Sequence, residues 1–302
     1  MSTIAPLGSS QLDYFIVDVF TDRALAGNPL AVVFDSISLA AERMQAIARE
    51  FNLSETAFIQ RRPAAVERAD GVRVRIFTTQ EELNFAGHPT LGTASVLRLC
   101  APETVQHSIV TLALNVGSVP VRFSGDSLFG EMTQPNPEFG AELDRAAVAR
   151  LTGLGLEDLD PALTPQIVST GTAFAIVALR SADCLARLNV NQKVAIPWLR
   201  ARGVRWFYVL GPTGSRTPAY RARMQFYGGE DPATGSAAGC AISYLVAHGA
   251  VPSEQMIALR QGVEIGRSSD LFLTARLASG KVANVRAAGS TVLVAKGQLF
   301  LP

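Results

Sequence analysis

Two stretches of this chain read as helices with no polar face. The first follows Pro89 in Phe85-Ala86-Gly87-His88-Pro89-Thr90-Leu91-Gly92-Thr93-Ala94-Ser95-Val96-Leu97. The second follows Pro232 in Gly229-Glu230-Asp231-Pro232-Ala233-Thr234-Gly235-Ser236-Ala237-Ala238-Gly239-Cys240-Ala241 and runs to about His248. Proline suits the first helical position, where its missing N–H would go unpaired anyway. That spacing puts His88 and Asp231 at the two N-caps. A helix that is small or apolar all round must be enclosed, and a sheet wrapped around a single helix encloses one. His88 and Asp231 lie 143 positions apart in a chain of 302, and each follows a strand-like run. The pattern predicts an α+β protein of two similar domains, each a barrel-like β-sheet around a central helix.

The remaining segments fit that plan. Strands are expected over Tyr14–Phe20, Leu30–Phe34, Thr56–Ile59 and Val72–Phe77, with a helix from a Ser38 cap to about Phe51. Ile109–Val121 reads as two strands with a turn near Gly117. Pro135 and Pro137 make 136–139 the expected linker. The domains are placed at 1–128, with 287–302 packing back on the first, and at 129–286. The first ten residues are expected to fray.

Composition excludes several classes. With 27 basic and 26 acidic side chains the net charge is +1, so no electrostatic argument favours nucleic acid or an anionic membrane. The most apolar stretch, 233–247, carries Thr, Ser and Gly and is shorter than the ~20 residues a spanning helix needs. Three scattered cysteines, Cys100, Cys184 and Cys240, form neither a disulfide framework nor a zinc motif. They read as small core residues of a soluble, cytoplasmic protein. No GxGxxG follows a strand, and there is no HExxH or CxxC, which disfavours a dinucleotide or metal site.

A buried helix N-terminus presents unpaired N–H groups and the positive end of a dipole, a ready place for a carboxylate. Two such ends at a domain cleft could hold one small acid, flanked by His88 and Asp231, both proton-transfer residue types. Gly87, Gly92, Gly235 and Ser236 would permit close approach. Glu55, between a helix end and an apolar strand, is the third candidate, because apolar surroundings favour a protonated carboxyl. Each has a plainer reading: Asp is a common cap, the small residues serve helix packing, and Glu55 is a surface residue at a strand start. His is a poor cap, so His88 is the hardest to explain structurally. His107 and His248 read as structural. Arg75, Tyr208 and Tyr227 are candidates for tuning a pocket.

Val17-Asp18-Val19-Phe20-Thr21, Gly27-Asn28-Pro29-Leu30-Ala31-Val32, Asn52-Leu53-Ser54-Glu55-Thr56, Phe85-Ala86-Gly87-His88-Pro89-Thr90 and Gly229-Glu230-Asp231-Pro232-Ala233-Thr234-Gly235-Ser236 together resemble the PhzF-like phenazine biosynthesis proteins, which share the diaminopimelate epimerase fold. The resemblance implies a cofactor-free isomerase, usually a homodimer, acting on a small carboxylic acid in an interdomain cleft. The best-known member acts on trans-2,3-dihydro-3-hydroxyanthranilate. It implies Glu55, His88 and Asp231 as catalytic residues, and Asn28, Ser54, Gly87, Thr234, Gly235 and Ser236 as substrate-binding ones. Relatives of this fold use two facing cysteines, but here Cys100 and Cys240 lie about nine or more residues beyond the caps, more than roughly 13 Å away at ~1.5 Å per residue. The competing expectation is a non-catalytic small-molecule-binding or protein-interaction module on the same scaffold.

Overall fold

The computed structural model describes residues 10–217, 219–226 and 229–301. The expected fraying of the first residues up to 9, and Tyr227, fall outside them. Two compact units emerge. One holds the described residues up to Leu25, then Pro29–Gly130 and those from Ser290 onward; the other holds Ala26–Asn28 and Glu131–Gly289.

In the first unit the strands are β1 (Ser10–Val19), β2 (Asn28–Phe34), β3 (Glu55–Gln60), β4 (Val72–Thr78), β5 (Glu82–Leu83), β6 (Ile109–Leu114) and β7 (Gly117–Phe123). The helices are α1 (Ala41–Phe51), α2 (Ala64–Asp70) and α3 (Gly87–Cys100). β2 pairs parallel with β3, β3 antiparallel with β4, β4 parallel with β6, and β6 antiparallel with β7. A parallel pair needs a long crossover. α1 makes the one between β2 and β3, and α3 the one between β4 and β6. Helix α3 touches β1, β3, β6 and β7, and every residue from Gly87 to Leu97 is buried.

The second unit contains β8 (Gly130–Thr133), β9 (Glu138–Glu142), α4 (Arg145–Thr152), β10 (Gln166–Ser169), β11 (Ala173–Ala178), α5 (Gln192–Arg200) and β12 (Phe207–Pro212). Then come β13 (Tyr220–Arg223), β14 (Gln225–Phe226), β15 (Gly229–Glu230), α6 (Gly235–Ala247), β16 (Ile257–Gln261), β17 (Ser269–Ala278) and β18 (Lys281–Gly289). The last strand, β19 (Thr291–Leu301), returns to the first unit and pairs antiparallel with β1. Pairing in the second unit repeats the first: β11 parallel to β12, β12 antiparallel to β13, β13 parallel to β16, β16 antiparallel to β17. Helix α6 touches β10, β11, β17 and β18, and Gly235 to Val246 are all buried.

The repeat extends to side chains. Arg75 on β4 clasps Glu82 on β5 with two hydrogen bonds (2.8 and 2.6 Å). Arg223 on β13 clasps Glu230 on β15 in the same way (3.0 and 2.6 Å). Glu82 and Glu230 each precede the first residue of their central helix, Gly87 and Gly235, by five positions. Ser95 and Ser243 both return their hydroxyls to the carbonyl one turn back. The true repeat therefore pairs Gly87 with Gly235 and His88 with Ser236, at an interval of 148, not His88 with Asp231.

Several local expectations shift. The cap before α1 is Ala40, not Ser38, which takes a positive φ of 57° in the preceding turn. The 136–139 stretch does not separate the units; it runs into β9, which pairs with β10. Cys100 ends α3 and is exposed, so only Cys184 and Cys240 are core thiols. Gly92 faces the sheet and not a ligand: a Cβ there would lie 2.7 Å from Leu30 and 2.8 Å from Val19 side-chain atoms. Gly92→Val should overpack this contact and cost about 1–3 kcal/mol, read as a lower urea midpoint with unchanged slope. An unchanged midpoint would mean the sheet yields without cost.

Candidate active site

In the first unit, α1 ends at Asn52, whose left-handed φ of 50° turns the chain sharply. Half-buried Ser54 follows in that turn, and Glu55 opens β3, opposite Thr78 of β4 and beside Leu30 of β2. His88 is the second residue of α3, behind an Ala86 cap, not the cap itself. Any first-turn residue can be proline, because the helical ladder does not use those N–H groups. An X-Pro pair therefore marks the turn and not the cap. The ladder starts with Thr90 N–H donating to Ala86 O at 3.2 Å, leaving the N–H groups of Gly87 and His88 ahead of it.

His88 is 3% exposed and Glu55 12%, and Nε2 of the imidazole lies 3.4 Å from Oε2 of the carboxyl. Burial pulls the His88 pKa from 6.5 down to about 3. The imidazole is therefore neutral at physiological pH, and the contact is between a carboxyl group and a neutral ring, not an ion pair. A neutral ring offers one N–H and one lone pair, so it can hold and orient Glu55 without fixing its charge.

The second unit assembles Asn28, Asp231, Thr234, Gly235 and Ser236. Asp231 is not a cap either. It lies three residues before Thr234, which caps α6. The closing contact is the Thr234 hydroxyl donating to Asp231 Oδ2 at 2.6 Å, a turn that delays the helix until Gly235. Asn28 Nδ2 donates to Asp231 Oδ1 (2.9 Å) and to the Ala233 carbonyl (2.8 Å). Asn28 is presented by the Arg267 guanidinium, which donates to the carbonyls of Gly27 and Ala26 at 2.8 Å each. Ser236 is the second residue of α6, and Thr170 hydrogen-bonds both its carbonyl (3.4 Å) and Gln134 Oε1 (2.7 Å). Gln134 Nε2 donates to the Gly235 carbonyl.

Sequence reasoning missed Gln134, Thr170 and Gln261. Gln261 had one visible signal: it occupies an inward position of β16, in register with Ile257 and Leu259, where an apolar residue belongs. Tyr208 is fully buried and donates to Gln261 Oε1 at 3.0 Å. Burial, with the Asp231 charge adding to it, raises the Tyr208 phenol well above its usual value, so it remains a donor. Arg75 is engaged with Glu82. Cys240 is the sixth residue of α6, nearer the helix start than sequence counting suggested, but burial pushes its thiol up to about 12. No thiolate is available there. His248 caps the far end of α6 and bonds Gln166.

A family profile, PhzC-PhzF, phenazine biosynthesis-like protein, matches residues 17–297. The chain belongs to this family. It is 35% identical over 299 residues to the trans-2,3-dihydro-3-hydroxyanthranilate isomerase of Pseudomonas aeruginosa, covering 95% of this chain and 99% of that one. Among solved structures, the PhzF-family protein of Bacillus anthracis superposes with a TM-score of 0.83 at 26% identity, over 96% of this chain and 99% of the other. A hydroxyproline epimerase from Agrobacterium vitis, at 12% identity and a TM-score of 0.63 over 96% and 93%, shares the fold. The chain is an isomerase of the PhzF-like family. Among the described residues no helix is long and apolar enough to cross a membrane.

The buried imidazole has a measurable consequence. Between pH 6.5 and about 3 the unfolded chain binds a proton at His88 that the folded protein refuses. Stability should therefore fall as pH is lowered through that window and be unaffected by this residue above it. His88→Gln removes the effect. The difference in unfolding free energy between wild type and variant should change by about 3 kcal/mol in the variant's favour from about pH 7 to about pH 4.5. A pH-independent difference in urea titrations would show that His88 titrates normally in the fold.

Proposed function

We propose that the protein is a cofactor-independent isomerase of a small unsaturated carboxylic acid of the trans-2,3-dihydro-3-hydroxyanthranilate type, with Glu55 as general acid and base. The observation that carries this reading is the Glu55–His88 pair: a nearly buried carboxyl beside a fully buried, neutral imidazole. Glu55 accepts a proton from one carbon of the conjugated system and returns it to another. The double bonds migrate, and atoms and charge balance with nothing consumed. His88 orients the carboxyl through both protonation states. Asp231, set by Asn28 and Thr234, together with Ser54 and the first-turn N–H groups at Gly87, Gly235 and Ser236, receives the polar groups of the substrate and the charge that develops on it. The relative from Pseudomonas aeruginosa supports the substrate class. Three free thiols accord with a cytoplasmic location, and family resemblance supports a homodimer, which sedimentation would test.

The test is NMR of the protein with trans-2,3-dihydro-3-hydroxyanthranilate in D₂O. Wild type should convert it, and Glu55→Gln should lower kcat by about 10²–10⁴-fold while substrate still binds. Conversion unaffected by Glu55→Gln would remove Glu55 from the proton transfer. Binding without any conversion by wild type would reject this substrate and favour a binding module on the same scaffold.

A further inference from the structure

One buried amide outside the family motifs holds the Asp231 turn. Gln261 is completely buried, and all four of its hydrogen-bonding positions are filled. Its Nε2 donates to the Asp231 carbonyl (2.8 Å) and to Thr234 Oγ1 (3.0 Å). Its Oε1 accepts from Tyr208 (3.0 Å) and from the Thr234 N–H (3.2 Å). Three of these four contacts go to the Asp231–Thr234 turn.

The polarity of the amide is fixed. A backbone N–H can only donate and a backbone carbonyl can only accept, so the Thr234 N–H and the Asp231 carbonyl fix which end of the amide is which. Thr234 Oγ1 must then accept from Nε2. Its own hydrogen goes to Asp231 Oδ2 at 2.6 Å, a far stronger acceptor than the Met224 sulfur 3.1 Å away. Asn28 holds Oδ1 of the Asp231 carboxylate directly, and Gln261 holds Oδ2 from two hydrogen bonds away, through Thr234.

The backbone is built to deliver it. Gly262, at φ 77°, lies so close to Pro232 that a Cβ would fall 2.6 Å from the Pro232 carbonyl oxygen. The fold itself does not demand an amide here. Gln261 lies opposite Ala222, third in β13; in the first unit β6 pairs with β4 as Leu112 with Val72 and Ala113 with Arg73, and the next residue along β6 is apolar, buried Leu114. The unit with the amide is the one with Asp231.

We propose that Gln261, backed by Tyr208, is a positioning residue for the isomerase reaction that acts through Asp231. This rests on the assignment of Asp231 to the substrate site. Gln261→Leu keeps the volume and removes all four bonds, and a displacement of about 1 Å can cost about 10²-fold in kcat. Tyr208→Phe removes one outer partner and should lose about tenfold or less.

The decisive experiment is a double-mutant cycle with Asp231→Asn, together with a crystal structure of Gln261→Leu. In the Asp231→Asn background, Gln261→Leu and Tyr208→Phe should have no further effect on kcat, and in the Gln261→Leu crystal the Thr234–Asp231 bond should be lost. Multiplying losses, or an unmoved Asp231 carboxylate in the crystal, would overturn the proposal. If Gln261→Leu does not fold, the Tyr208→Phe arm decides: a loss of kcat that vanishes in the Asp231→Asn background supports the proposal, and no loss, or one that multiplies, overturns it. Wild type that fails to turn over the substrate, with Asp231 displaced in the variant crystal, would count against the proposed function and leave the clamp standing.

Discussion

A helix without a polar face can exist in water only if something surrounds it. α3 and α6 are such helices, buried along nearly their whole length, and the rest of each unit follows from enclosing them. The sheet must curve, its parallel pairs need crossovers, and the crossover that carries the apolar helix must pass inside. Glycine at position 92 reflects the same constraint, because the helix backbone comes within reach of the β1 and β2 side chains. Enclosure also removes water from the first turn of the helix. That is why an imidazole placed there loses its ability to carry charge.

The two units use one plan for different chemistry. Strand pairing, the Arg–Glu clasp and the returning serine hydroxyl recur at matching places. The polar groups at the helix starts do not. The first unit puts His88 within the first turn and brings Glu55 to it from a neighbouring strand. The second puts Ser236 at the matching position and holds its carboxylate just outside the helix, in a turn closed by Thr234, Asn28 and Gln261. One carboxyl meets a neutral ring, and the other accepts from an amide and a hydroxyl. This difference underlies the separate roles proposed for Glu55 and Asp231.

The enclosed helices could be read directly from the chain. An apolar run without a polar stripe leaves few arrangements open, and alternation marks most strands. The motifs around Glu55, His88 and Asp231 carried the family resemblance, and the structure places Glu55 at a strand start, His88 in the first turn of a helix and Asp231 in the turn ahead of one. Turn geometry was less legible. The X-Pro pairs suggested caps, yet the helices begin at Gly87 and Gly235, behind Ala86 and Thr234. The choice among first-turn positions depends on side-chain contacts such as Thr234 with Asp231, which involve residues the local pattern treats as equivalent.

Sequence by itself determined the class of fold, the two central helices and the residue types able to move a proton, because burial and periodicity are local properties of the chain. Tertiary structure alone decided the true interval of the repeat, the neutral state of His88 and the saturated amide of Gln261. Those depend on groups 27 to 53 positions from Gln261, or on the sheet that removes water from His88. Desolvation and hydrogen-bond partnership are set by what lies next in space.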